Sequence, residues 1–155
     1  MSLELLDEID LELAQLRQLM ESFQSLRSDL VARTPTTVET IAVAGYLHSF
    51  YTGVENIFKR ISFHLDGGPW RGENWHSRLL DSMAVPNQSR PAVISSALRD
   101  HLYEYLNFRH VFRHAYSFHL QWSKMAPLVA ESEHVWLLLE TTLMDFIKMM
   151  MDRKG

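Results

Sequence analysis

Apolar side chains recur every three or four residues over most of this chain, and no other feature so narrows what it can fold into. Residues 3–32 carry Leu3, Leu6, Ile9, Leu13, Leu16, Met20, Phe23, Leu26 and Leu30, with Glu4, Asp7, Glu8, Glu12, Arg17 and Glu21 off the stripe. A helix turns about 100° per residue, so that spacing gathers the series on one face and predicts an amphipathic helix. Thr34-Pro35-Thr36-Thr37 interrupts it; Thr36 or Thr37 can cap the next helix, with Glu39 or Thr40 close behind. Residues 38–64 follow, with Ile41, Val43, Ala44, Leu47, Phe50, Tyr51, Val54, Ile57, Phe58 and Ile61 as core candidates. Gly45 and Gly53 stand eight residues apart, nearly on one face, which predicts close approach of a neighbouring helix.

Asp66-Gly67-Gly68-Pro69-Trp70-Arg71-Gly72 is the clearest break in the chain. A short helix over residues 75–83 should turn Leu79, Leu80 and Met83 inward. After a loop at 86–91, Pro91 suits the first turn of a helix reaching 118, with Ser89 as its cap and Val93, Ile94, Leu98, Leu102, Tyr105, Leu106, Phe108, Val111 and Phe112 as its apolar positions. Ser123 can cap a last helix, with Pro127 in its first turn and an apolar face from Leu128 to Met150. Nothing alternates like a strand and nothing repeats. The expectation is one all-α domain over residues 1–155, an up-and-down bundle of four long helices plus one short one.

Composition removes several function classes. Hydrophobic residues are 46% and charged residues 22%, as in a globular rather than a disordered chain. No apolar run approaches the roughly 18–20 residues that span a bilayer, so no membrane partner is expected. The N-terminal Met-Ser-Leu-Glu-Leu-Leu-Asp-Glu is acidic and lacks the basic start of a signal peptide. With no cysteine, disulfides and thiolate chemistry are out, and the cytoplasm is the default location. A net charge of −4 argues against a generally basic nucleic-acid binder, and no DNA partner is expected. Between 99 and 124, however, Arg99, Arg109, Arg113 and Lys124 face only Asp100 and Glu104, and four of the eight histidines fall there.

Chemistry concentrates in Leu-Asn-Phe-Arg-His-Val-Phe-Arg-His-Ala-Tyr, residues 106–116. Two arginines, two histidines and a tyrosine within about two turns exceed what a packing helix needs. Helical spacing puts Arg109, Arg113 and Tyr116 near one azimuth and His110 and His114 in a second column; two copies about a twofold axis would converge them in one cleft. Such a cleft suits phosphoryl transfer without metal: histidine exchanges a proton with a ribose 2′-hydroxyl or a leaving oxygen, and arginine stabilises charge on phosphorus. The plainer alternative is a solvated or carboxylate-paired face. Glu55, amid the apolar surface of the second helix, is either solvent-facing or aimed at Arg109 or Arg113. His110 and His114 could share a metal ion, but no further ligand stands beside them at metal-site spacing, so no metal is expected. Cofactor loops are absent as well. The methionines Met144, Met149, Met150 and Met151 read as core or subunit contact.

Arg109, four residues, His114, one residue, then Tyr116 resembles the Arg-x4–6-His-x-Tyr signature of HEPN-superfamily ribonucleases, in particular HepT-like toxins. His110 is also of a type found directly after that arginine. Tyr51-Thr-Gly-Val-Glu55-Asn-Ile-Phe-Lys-Arg-Ile61 is similar to the family's second-helix segment, and Trp75-His-Ser-Arg-Leu-Leu-Asp-Ser-Met83 to its following short helix. The resemblance spans most of residues 45–120. It implies a homodimer with both signatures lining one cleft, and metal-independent cleavage of RNA to a 2′,3′-cyclic phosphate and a 5′-hydroxyl. By position it implies that Arg109 handles the phosphate and His114 the proton. Tyr116 would be the tyrosine that an MNT-type nucleotidyltransferase antitoxin modifies with AMP. Arg113 and His110 have no role in the short signature itself; they are expected to hold backbone phosphate and orient His114, or to be surface residues, and Glu55 is expected as a further auxiliary residue of the RNA site. The family also contains members that act as non-catalytic nucleotide- or protein-binding modules.

Overall fold

The computed structural model describes residues 1–153 other than 69, 115, 117 and 118. Its helices are α1 (Leu3–Ser22), α2 (Gln24–Asp29), α3 (Thr37–Leu65), α4 (Trp75–Met83), α5 (Ser96–His114) and α6 (Trp122–Asp152). No strand occurs among the described residues, and none of the helices is long and apolar enough to cross a membrane. The all-α bundle expected from the periodicity is therefore present.

α3 is the central element and packs against α1, α4, α5 and α6. Its long apolar face, including Val43, Leu47, Phe50, Tyr51, Val54, Phe58 and Ile61, is buried. Its start is a reciprocal capping box: Glu39 N donates to Thr36 Oγ1 at 3.1 Å, and Thr36 N donates to Glu39 Oε1 at 3.0 Å. Two Arg33 nitrogens reach the same carboxylate at 2.8 Å. Hydrogen bonding from Arg33, then from the Thr36 backbone, holds the Glu39 carboxyl down at about 2. A polar relay crosses the bundle further on: Arg27 donates to Tyr46 Oη, which donates to Ser132 Oγ at 2.7 Å, tying α2 to α3 and α6.

Several boundaries differ from those the pattern predicts. The first helix divides at Phe23, whose backbone (φ −104°, ψ 3°) leaves helical geometry before α2 resumes. α5 begins at Ser96 rather than Pro91, with Ser95 Oγ accepting from Leu98 N at 3.1 Å. Val93 and Ile94 instead send their N–H groups to the Met83 carbonyl, which holds residues 91–94 as a loop. The anchor of that loop is Arg90, wholly buried, with Nε and Nη2 on the two Asp66 carboxylate oxygens and further bonds to the Ser82, Val85 and Pro91 carbonyls. Phe118, where the same helix was expected to end, lies outside the described residues. α6 starts at Trp122 without a side-chain cap, so Ser123 lies inside it and Pro127 stands beyond the first turn. Leu3, Ile41 and Val111, expected in apolar faces, are exposed. Only one of the two glycines of α3 marks a close approach: a Cβ on Gly53 would lie 2.5 Å from Leu16 Cδ2, whereas at Gly45 it meets nothing.

Candidate functional site

Arg109 lies on the inner side of α5, where α3 and α4 both cover it. It is 5% exposed and Glu55 of α3 is 4% exposed. Burying either charge alone would be costly, so the apolar face of α3 tolerates a carboxylate only because a cation meets it. Arg109 Nη2 donates to Glu55 Oε2 at 2.8 Å. Of the alternatives open to Glu55, the structure therefore selects Arg109, not Arg113 and not solvent. A carboxylate bound in this way orients the guanidinium.

Two further groups complete the cluster. The Arg109 guanidinium stands 5.0 Å from the Tyr51 ring centroid, within cation–π range. His76, in the first turn of α4, brings Nδ1 within 2.8 Å of Glu55 Oε2 and 2.9 Å of Arg109 Nη2. Its ring stacks on Trp75 at 3.7 Å between centroids, and Lys59 Nζ lies 5.8 Å over the indole. Among the described residues, Nε and Nη1 of Arg109 have no hydrogen-bond partner, so the contacts with Glu55 and His76 use only Nη2 of the fork. The Tyr51 hydroxyl is buried without a partner among the described residues, and burial, reinforced by Glu55, drives its pKa far upward.

The other signature residues lie elsewhere on α5. His110, Arg113 and His114 are exposed, and the rings of His110 and His114 meet edge-on at 4.6 Å. Arg113 and His114 occupy the last turn, where the partial negative charge of the helix terminus favours cations. Arg113 shares its azimuth with Arg109 but not its burial, because it stands one turn further along, near the helix end. Tyr116 is 72% exposed and beyond the end of α5, so helical spacing does not place it in the arginine column. Its ring lies 6.1 Å from that of His119. A single chain thus brings together Arg109 and Glu55 but not Arg109 and His114, which point to different sides of one helix.

Residues that sequence reasoning did not single out occupy the space around Arg109. His76 stood in the sequence only as a member of the Trp75–Met83 segment; the signal available was its place beside Trp75 at the start of a short helix. His48 of α3 is half-buried, its ring 5.0 Å from that of Phe112, and burial followed by the charges of Arg109 and Arg113 lowers its pKa. A separate cluster, Glu4 and Glu8 of α1 with His64 of α3, offers metal-ligand atoms within 4.8 Å of one another. Glu8 is already engaged there by His64 and Arg60.

The chain matches neither a curated protein nor a solved structure. A family model described as HepT-like protein does match, over residues 42–150. That stretch includes nearly all of α3, all of α4 and α5, and most of α6, and so contains Glu55, His76, Arg109, His114 and Tyr116. With more than half of its length matched, and an all-α bundle carrying the arginine and histidine of the signature on α5, the chain belongs to the HepT-like proteins of the HEPN superfamily.

Proposed function

We propose that this protein is the toxin half of a toxin–antitoxin pair: a cytoplasmic, metal-independent endoribonuclease that works as a homodimer. The observation that supports this reading is the Arg109 fork, which Glu55 holds through one nitrogen while Nε and Nη1 have no partner among the described residues. In the reaction, the ribose 2′-oxygen attacks phosphorus and the bond to the 5′-oxygen breaks. Arg109 stabilises the charge that builds on the phosphoryl oxygens, and His114 serves proton transfer. The products are a 2′,3′-cyclic phosphate and a 5′-hydroxyl, with no cofactor required.

The separation of Arg109 from His114 on one helix supports a cleft shared by two copies, since the exposed arc carrying His110 and His114 is open to a second α5. His110 and Arg113 then hold neighbouring phosphates. Tyr116, exposed beside this arc, is accessible to an MNT-type nucleotidyltransferase antitoxin, and an AMP group there would place a bulky anion against the cleft.

The test is cleavage of total cellular RNA by purified protein in excess chelator, beside Arg109→Ala and His114→Ala. Wild-type cleavage that persists in chelator and is lost in both variants is the expected result. Intact RNA in all three, with no AMP on Tyr116, would instead favour a non-catalytic binding module.

A further inference from the structure

The carboxylate beside His76 decides between the two neutral tautomers of its ring. Arg109 Nη2 can only donate, and an ionised Glu55 can only accept. His76 Nδ1 lies 2.8 Å from Glu55 Oε2. A lone pair there would confront an anionic oxygen at hydrogen-bond distance, so Nδ1 carries the proton and donates it. Nη2 and Nδ1 then stand 2.9 Å apart as two donors converging on the same oxygen. In the neutral ring, a proton on Nδ1 leaves the lone pair on Nε2. Among the described residues Nε2 has no partner, and the side chain is 32% exposed. The stack on Trp75 fixes the ring plane.

A carboxylate on one imidazole nitrogen, with the other nitrogen bare and accessible, is the arrangement that makes histidine a directed base. We propose that His76, oriented by Glu55, is the catalytic base of this protein and acts on the phosphate that Arg109 holds. The proposal rests on the ribonuclease reading and divides its chemistry between two histidines. Nε2 of His76 takes the proton of the 2′-hydroxyl as the 2′-oxygen bonds to phosphorus. The bond to the 5′-oxygen breaks, and that oxygen leaves with a proton from His114. Glu55 keeps its charge throughout and stabilises the imidazolium that forms. The base and the arginine then come from one chain, on α4 and α5, both held by one carboxylate of α3.

A substrate with sulfur in place of the bridging 5′-oxygen separates the two roles, because a thiolate leaves without being protonated. Single-turnover cleavage of ordinary RNA should fall about 10²–10⁴-fold in both His76→Gln and His114→Ala. On the sulfur-bridged RNA, His114→Ala should recover to near the wild-type rate while His76→Gln stays slow. Recovery of His76→Gln, or cleavage by it at the wild-type rate, overturns the assignment. Nitrogen-15 NMR of the histidine rings gives a readout independent of cleavage. His76 should show the proton on Nδ1 near neutral pH, and Glu55→Gln should shift it toward the Nε2-protonated form. A proton on Nε2 in the wild type refutes the dyad even if RNA is cut. A proton on Nδ1 in a protein that cuts no RNA leaves the geometry standing and sinks the ribonuclease reading and the catalytic role together.

Discussion

Arg109 and Glu55 meet at 2.8 Å with side chains only 6% and 5% exposed, joining α5 to α3 at the point where the family signature begins. The pair therefore belongs both to the core and to the candidate site. Removing one member of a buried pair strands the other charge, which costs about 3–5 kcal/mol, whereas removing both costs far less. Glu55→Gln should accordingly lower stability by about 3 kcal/mol or more, with part of the loss recovered in Glu55→Gln combined with Arg109→Met. Urea unfolding of the two single variants and the double variant measures the coupling; strict additivity would show that the pair is not formed.

The exposed signature residues should behave oppositely. His110→Ala and His114→Ala remove side chains that the bundle does not bury, so each should change stability by no more than about 0.5 kcal/mol. Thermal melts run beside the cleavage assay check this, and an unchanged melt makes any loss of cleavage in His114→Ala a chemical effect.

The two glycines of α3 should respond in opposite directions. Gly53→Ala drives a Cβ to 2.5 Å from Leu16 Cδ2, and overpacking of that kind costs about 1–3 kcal/mol. Gly45→Ala meets open space and should stabilise the helix by about 0.4–1 kcal/mol. Denaturation midpoints of the two variants test the pair, and equal effects would contradict the α1–α3 packing.

Acid should loosen the start of α3. Glu39 titrates at about 2 in the folded chain against an ordinary 4.5, chiefly through its bonds with Arg33 and the Thr36 backbone. A depressed carboxyl stabilises the fold above its unfolded value and loses that contribution as pH falls toward the folded one. The stability gap between wild type and Glu39→Gln should therefore be constant above pH 4.5 and close toward pH 2. Thr36→Ala, which removes the reciprocal cap, should cost about 1 kcal/mol. Unfolding curves across that range supply both numbers.

Helix existence and inward-facing residues were legible in the sequence because they follow from local periodicity: Val43, Leu47, Phe50, Val54 and Ile61 lie where the stripe puts them. Thr36 and Glu39 were legible as a helix start because a cap is made within a few residues. The signature itself is a local pattern as well, and it led to the family that residues 42–150 match. Boundaries set by distant partners were not legible. Pro91 looks like a helix start, and only the Met83 carbonyl and the Asp66 carboxylate that hold residues 90–94 delay α5 to Ser96. Val111 and Ile41 fit apolar faces by spacing, yet both stay exposed among the described residues.

At the candidate site the division is sharper. Sequence by itself determined that Arg109 and His114 share one helix and that Glu55 interrupts an apolar face. Tertiary structure decided that Glu55 belongs to Arg109, that His114 looks away from both, and that His76 joins them. Residues 55, 76 and 109 come from three helices, and periodicity is a property of one. Which charges meet is decided by where the helices cross, since a buried carboxylate persists only where the fold brings it donors.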